Sequence, residues 1–541
     1  MLKGFCLYIG TIQHLAICQL LSRLASPIKR GILIRLKRAQ AAVVPSERLR
    51  PQESWLCHDA WNTSGALGEG RFAFLGQVAN LGYPVNWKAT RRSLLWRFWL
   101  HSFAYLLLLP TEERIKFCQE WIAGNPLGSQ PAWHSHPLSR RIVNWCKADF
   151  HHGQISQSLY EQSEFLCRNL ETYLGGNHLL ENARALIFAG RFFDGDLRAR
   201  NWLRKGLSLY EKETAKQILP DGWHYERSPM YHALMLEAYL DVLNLAPQSD
   251  RQNSFLADAA RKMLDSLVSA TRPDGQIVLF NDATEEIAPP TARLVEYGRS
   301  LLGYEPQRRE SFPDAGYYTY RDDSLFIFID GGPIGPNELP AHAHADIFSY
   351  ELCLFGLPLI VDTGVYEYQV GGMRDHVRHT HAHNTICVDG VSQAECWKSF
   401  RVARRYPPKD VSYEAIGETR VFRGRFDGYS YLIGDRIQHE RTIVIDSGKR
   451  CISVDDSIHG HGAHLIESRL HLHPEVKAEV SNSTARLKRD GVEANIRIAD
   501  GHLHAESGWY CPRMGTKIPN TVLVIKNRSE LPVRLRYQIH Y

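Results

Sequence analysis

From about Ser93 to Gly303 apolar residues recur at three- and four-residue intervals, the spacing of one buried helix face. SLLWRFWLHSFAYLLLL, PLSRRIVNWCKADF, ISQSLYEQSEFLCRNLETYL and NHLLENARALIFAG are predicted helices. LRARNWLRKGLSLYEKETAKQIL, SPMYHALMLEAYLDVLNLA, SFLADAARKMLDSLVSA and TARLVEYGRSLL continue the pattern. Short Gly, Pro and Asp breaks separate them, so successive helices should run antiparallel in a layered array or toroid. After Ser311 the period changes to two. YYTYR, SLFIFIDGG, SYELCLFG, LPLIVDTG, NTICVDG, YLIGDRIQHERTIVID, CISVDDSI, TVLVIKN and VRLRYQIHY read as strands bounded by turns. Many strands without intervening helices predict a large antiparallel sandwich.

The pattern defines an α+β multidomain chain with a basic arm over 1–45. An α/α toroid (an incomplete barrel) follows over 46–308, and a β-sandwich over 309–541. A length of 541 residues fits two large domains better than one core. The net charge of +5, from 64 basic and 59 acidic residues, gives no warrant for nucleic-acid binding and is compatible with an acidic polysaccharide. Eleven cysteines without a CxxC pair argue for free thiols over a disulfide framework or zinc ribbon.

The N-terminal Gly4–Leu20 stretch is interrupted by Gln13, His14 and Gln19, unlike a secretory core. It is too short and polar for a membrane span. GILIRLKRAQ reads as part of a basic amphipathic helix, docked on the body or in peripheral contact with a membrane surface. Without a clear export signal, both the bacterial envelope or periplasm and the cytoplasm stay open as locations.

Three stretches concentrate chemistry. In NHLLEN, Asn177, His178 and Glu181 share one helix face. The plain alternative is a helix start with Asn177 as its cap. In ERSPMYH, Tyr231 lies near a helix start with Arg227 four residues earlier; it is either an activated acid–base or an ordinary amphipathic tyrosine. In HAHAD, within a stretch read as strands, His342 and His344 point to one side of an extended segment. His344 with Asp362 and His383 makes either a zinc site, which leaves His342 free for proton transfer, or a metal-free histidine cluster. The Asp of HAHAD precedes Ile347 and the context is all-β, which argues against a metallo-β-lactamase-like site. Arg374, Arg378 and His379 form a cationic loop suited to an anionic substrate, or to neighbouring acids.

Such a set suits cleavage beside a uronic-acid carboxylate. The weakly acidic proton next to that carboxylate leaves only if donors neutralise the carboxylate while a base and an acid act. A glycoside hydrolase, the rival enzyme, needs two carboxylic acids, for which Glu181 and Glu226 are the candidates. A non-catalytic glycan-binding protein is the other alternative.

The order NHLLEN, ERSPMYH, HAHAD, VDTG and AHNT resembles the heparinase II/III family of polysaccharide lyases over roughly residues 70–540. The resemblance implies a toroid followed by a sandwich, and β-elimination on an acidic polysaccharide such as heparin, heparan sulfate, alginate or the cell's own exopolysaccharide. It implies that Asn177 neutralises the carboxylate with support from His178 and Glu181. Tyr231 serves as base and acid, and His342 shares the proton transfer. It further implies a structural zinc on His344, Asp362 and His383, and no organic cofactor. Arg227, Arg374 and Arg378 are the expected substrate-binding cations. Nothing in the sequence fixes the oligomeric state.

Overall fold

The computed structural model describes residues 2–14, 31, 49–150, 152–247 and 254–541. Helix α1 (Leu2–Ile12) is followed by a small hairpin, β1 (Arg71–Phe74) and β2 (Gln77–Asn80). The helical layer then comprises α2 (Leu94–Ser102), α3 (Thr111–Gly124), α4 (Ser135–Lys147), α5 (Gly153–Arg168) and α6 (Gly176–Phe192). It continues with α7 (Leu197–Gln217), α8 (Pro229–Asn244), α9 (Phe255–Ser269) and α10 (Thr291–Leu302). Helix α6 is central: nearly every residue is buried, and it packs on α4, α5, α7 and α8. Its buried polar residues, Asn177, Glu181, Asn182 and Arg184, are accordingly each hydrogen-bonded or ion-paired. Helix α3 went unread because TEERIKFCQEWIAG buries only Phe117, Cys118 and Trp121 deeply, so its apolar stripe is narrow.

Strands begin at Ser311. A five-stranded meander runs β3 (Ser311–Phe312), β4 (Tyr317–Arg321), β5 (Leu325–Asp330), β6 (Tyr350–Leu354) and β7 (Leu357–Ile360). A four-stranded sheet carries β8 (Ile386–Val388) at its edge. An eight-stranded antiparallel sheet faces both, and Ile327, Leu352, Phe422, Ile443, Leu470, Leu523 and Leu535 share one core. The last strand, VRLRYQIH, buries Leu535, Tyr537 and Ile539 and exposes alternate residues, as a sheet with one wet face requires. Strand β5 is buried on both faces. Ile327 and Ile329 enter the sandwich core, while Phe326 and Phe328 join Trp223 and Phe280 of the helical layer. That second cluster fastens the two layers together.

A hairpin of β9 (Ala394–Trp397) and β10 (Arg401–Arg405) projects towards the helical layer. Helix α1 docks on it: Tyr8 meets the Trp397 ring edge-on at 4.7 Å, and Trp397 donates to Thr11 Oγ1 at 3.1 Å. The expected amphipathic helix over GILIRLKRAQ lies outside the described residues, apart from Gly31. All ten described cysteines are free thiols. Among the described residues no helix is long and apolar enough to cross a membrane.

Candidate active site

A cavity of about 350 Å³ lies where the helical layer meets the sandwich. Helices α2, α4, α6 and α8 supply one wall, and Leu339, Ala341, His342, Tyr368 and Phe400 from the sandwich supply the other. Four of the five residues expected to be catalytic on α6 and α8, Asn177, His178, Glu181 and Tyr231, line it together with the fifth, His342.

Local structure explains each placement. Gly175 adopts φ 72°, and Gly176 follows at φ 59°; a Cβ on Gly176 would collide with Leu339 and the Glu226 carboxylate. The turn therefore lets α6 begin against Glu226. Asn177 does not cap the helix. Its backbone N–H and its Nδ2 both donate to Glu226, at 3.0 and 3.1 Å. Helix α8 starts with Ser228 as cap, whose Oγ accepts from the Tyr231 N–H, and with Pro229 in the first turn. This sets the Tyr231 ring parallel to His342, centroids 3.9 Å apart, with its hydroxyl 3.3 Å from that of Tyr368.

His342 and His344 sit in a loop, not the strand expected, yet both reach one carboxylate. His342 Nδ1 lies 3.0 Å from Asp282 Oδ2, and His344 Nε2 lies 2.9 Å from Asp282 Oδ1. Burial opposes ionisation of Asp282, but the Arg374 guanidinium and the bonds from both histidines hold its carboxyl well below the usual range. Asp282 is thus a fixed anion that orients His342 and turns its Nε2 towards Glu226 Oε2, 3.4 Å away.

His178 is bonded through Nδ1 to Glu171 at 3.1 Å. Burial works against its protonation, but Glu171, Glu226 and Glu181 outweigh it and raise its pKa above the ordinary histidine value. Burial, with Asp282 second, pushes the Tyr231 phenol upward, so it rests protonated as a proton donor. Glu181 pairs with Arg184 at 3.0 Å, and Arg184 also bonds Asp241.

The three arginines expected to bind substrate do not reach the cavity. Arg227, itself at φ 56°, donates to the carbonyls of Ala315, Tyr225 and Asp314 and ties the helical layer to the sandwich. Arg374 is fully buried and donates to Asp282 at 2.8 Å, beneath Tyr368 and Phe400. Arg378 donates to the carbonyls of Ala343, Lys398 and Ser399. Their charge was legible in the sequence and their burial was not. Asp282 and Tyr368 were missed as site residues, and Glu226 was read only as a hydrolase candidate, because their roles arise from contacts between distant segments.

Deeper in the sandwich, His344, Asp346 and His383 bring donor atoms within 4.8 Å of one another. His344 Nδ1, Asp346 Oδ2 and His383 Nε2 are buried and have no hydrogen-bond partner. Three unpaired polar atoms converging in a dry interior suit a cation, since each otherwise bears its desolvation cost alone. Asp362 stands outside this trio, accepting from His383 Nδ1 at 2.7 Å; that bond leaves Nε2 as the ligating nitrogen. Burial lowers the His344 pKa to about 4, keeping it neutral as ligation requires. On the cavity wall, His136, Glu171 and His178 also cluster, but there Glu171 is already engaged by His178 and Asn182.

A helical layer facing a sandwich, with His, Tyr and Asn converging on the cavity between them, defines a two-domain protein with one interdomain site. "Heparinase II/III N-terminus" matches residues 128–308 and "Heparinase II/III-like, C-terminal" matches residues 305–538, so the chain belongs to the heparinase II/III family. It is 25% identical over 263 residues to a heparin-sulfate lyase of Pedobacter heparinus, covering 44% of this chain and 39% of that one. To a heparin-sulfate lyase of Bacteroides thetaiotaomicron it is 25% identical over 402 residues, covering 64% of this chain and 55% of that one. The chain thus matches from about two fifths to just over half of the length of these relatives. A crystal structure of heparinase III superimposes with a TM-score of 0.71 at 19% identity, covering 94% of this chain and 88% of that one. A heparan sulfate lyase of Pedobacter heparinus gives 0.62 at 17% identity, covering 96% and 88%. These likenesses place the fold as a helical toroid joined to an antiparallel sandwich.

Proposed function

We propose that the protein is a polysaccharide lyase that cleaves a uronate-containing glycosaminoglycan of the heparan sulfate type by β-elimination. The observation that carries this reading is the meeting of Asn177, His178, Tyr231 and His342 on one interdomain cavity. The relatives named heparin-sulfate lyases support the substrate class.

In this reading the uronate carboxylate takes donors from Asn177 Nδ2 and from His178, which lowers the cost of charge building on the ring. His342 Nε2, oriented by Asp282, removes the proton beside the carboxylate. The electron pair left behind forms a carbon–carbon double bond as the bond to the glycosidic oxygen breaks. Tyr231, resting protonated, gives its proton to that oxygen. No water is consumed. Hydrolysis fits less well: Glu226 is held by both donors of Asn177 and does not line the cavity, so Glu181, whose Oε2 is unpaired there, lacks the second carboxyl that hydrolysis needs.

The test is ultraviolet absorbance of the unsaturated product with heparan sulfate, heparin, hyaluronan, chondroitin and alginate as substrates. Absorbance should rise on a polymer of the heparan type; new reducing ends without absorbance would sink the reading.

The raised pKa of His178 has a consequence of definite sign. The charged imidazolium is present below that pKa and lost above it, so kcat/KM should fall as pH climbs through a value higher than the ordinary histidine one. The stabilisation from the Glu171 pair fades over the same window. His178→Gln should flatten this alkaline limb, measured as a pH profile; an unchanged limb would remove His178 from carboxylate neutralisation.

A zinc ion on His344, Asp346 and His383 would brace the loop carrying His342 and take no part in proton transfer. His344→Ala should abolish bound metal and lower stability by roughly 2–4 kcal/mol, a fall in Tm of about 5–10 °C. Equal metal content and Tm in both proteins would dismiss the site.

A further inference from the structure

The cations near the cavity differ in one respect. Arg184 is paired with Glu181 and Asp241, and Lys147 with Asp241. Arg140, on α4 and half-buried, forms no ion pair or hydrogen bond among the described residues, although it lines the cavity. Its guanidinium carbon lies 4.5 Å from the centroid of the Trp99 ring. A guanidinium held over a ring spends no N–H group on a hydrogen bond there and keeps the fork that grips carboxylate or sulfate oxygens. The nearest acids, Glu181 and Glu237, face other cations: Arg184 at 3.0 Å and Lys147 at 4.0 Å.

One helical turn away, His136 presents a second unused donor or acceptor. Its Nδ1 is buried without a partner. Phe98 lies beside it, ring centroids 6.0 Å apart, and Trp99 completes an aromatic face on α2. The Phe98 ring on the cavity wall, with a guanidinium that has no acid partner among the described residues, matches a sugar ring with an acidic substituent. Beyond Arg140 the space narrows to a recess of about 40 Å³ between Cys57, His58, Asn144 and Lys147. That holds a few waters and no further sugar ring.

We propose that Arg140, held against Trp99, and His136, with the ring of Phe98, form an anion-binding sugar subsite next to the reacting centre, the last on that side of the cavity. It rests on the lyase reading for its role in turnover. Its occupant is the carboxylate or sulfate group of a sugar adjoining the one cleaved, and Arg140 is therefore a specificity-determining residue.

The test compares wild type, Arg140→Ala and Arg140→Lys on heparan sulfate and on its unsulfated glucuronate–glucosamine counterpart. Equilibrium binding of both polymers to Tyr231→Phe, with and without Arg140→Ala, is measured in parallel. Loss of a charge-assisted pair should raise KM and Kd about tenfold, with a much smaller fall in kcat. The lysine variant should recover part of the loss and keep the wild-type Tm. An effect confined to the sulfated polymer identifies sulfate; an equal effect on both identifies carboxylate. KM and Kd unchanged on both polymers would overturn the subsite. Binding that weakens in Arg140→Ala while wild type forms no unsaturated product would keep the subsite and sink the lyase reading.

Discussion

Tyr231→Phe should lower kcat by roughly 10²–10⁴-fold while leaving polymer binding and the fold nearly intact. The substitution removes one oxygen. In the structure that oxygen makes a single long hydrogen bond, 3.3 Å to the Tyr368 hydroxyl, so its loss should cost less than about 1 kcal/mol of stability. The ring remains to stack on His342, whose position therefore persists. What disappears is the proton for the departing glycosidic oxygen. Burial and the Asp282 charge keep the phenol protonated at neutral pH, which suits a donor and would handicap a base. Kinetics on a defined oligosaccharide, with binding followed by calorimetry, check this. Activity within threefold of wild type would take Tyr231 out of the reaction.

His342→Ala should be comparably damaging, about 10²–10⁴-fold in kcat, with a distinguishing signature. Removing the imidazole leaves a space bounded by Tyr231, Tyr368 and Phe400, and the ionised Asp282 beyond it. Asp282 keeps Arg374 and His344 as partners, so the buried anion is not abandoned and the fold survives. Added imidazole can enter that space, bond Asp282 and accept the proton. Partial recovery of His342→Ala by imidazole, with none for Tyr231→Phe, is the expected result. Recovery of neither, with both proteins folded, would remove His342 as the base. The two substitutions together should cost little more than either alone, because base and acid act within one event.

Much of this arrangement was legible because periodicity and local motif report local facts. NHLLEN and ERSPMYH each place a functional side chain in the first turns of a helix, and their turn residues, Gly175, Gly176, Ser228 and Pro229, do what such residues do at helix starts. The change from a helical to an alternating pattern after Ser311 marks where the strands begin. The unread part is what distant segments do to one another. Asp282 lies 60 residues from His342 and 92 from Arg374, and nothing around NDATEE announces an anion that holds two histidines and a guanidinium. Arg227, Arg374 and Arg378 looked like substrate ligands because charge implies exposure by default; here the carbonyls and carboxylate they satisfy are interior ones. Arg140 shows the converse. It sits unremarkably in a helical stretch, and only the lack of an acid partner among the described residues singles it out. At the candidate metal site the family resemblance implied Asp362, whereas the side chains bring Asp346 near the unpaired nitrogens of His344 and His383, and Asp362 bonds the other nitrogen of His383.

The most direct test of elimination is to digest a heparan-type polymer in heavy-oxygen water and weigh the new chain ends by mass spectrometry. Elimination breaks the bond without water, so the products should carry an unsaturated terminal ring and no label. Label at the new reducing end, with saturated rings on both fragments, would mean hydrolysis and would contradict the roles assigned to His342 and Tyr231.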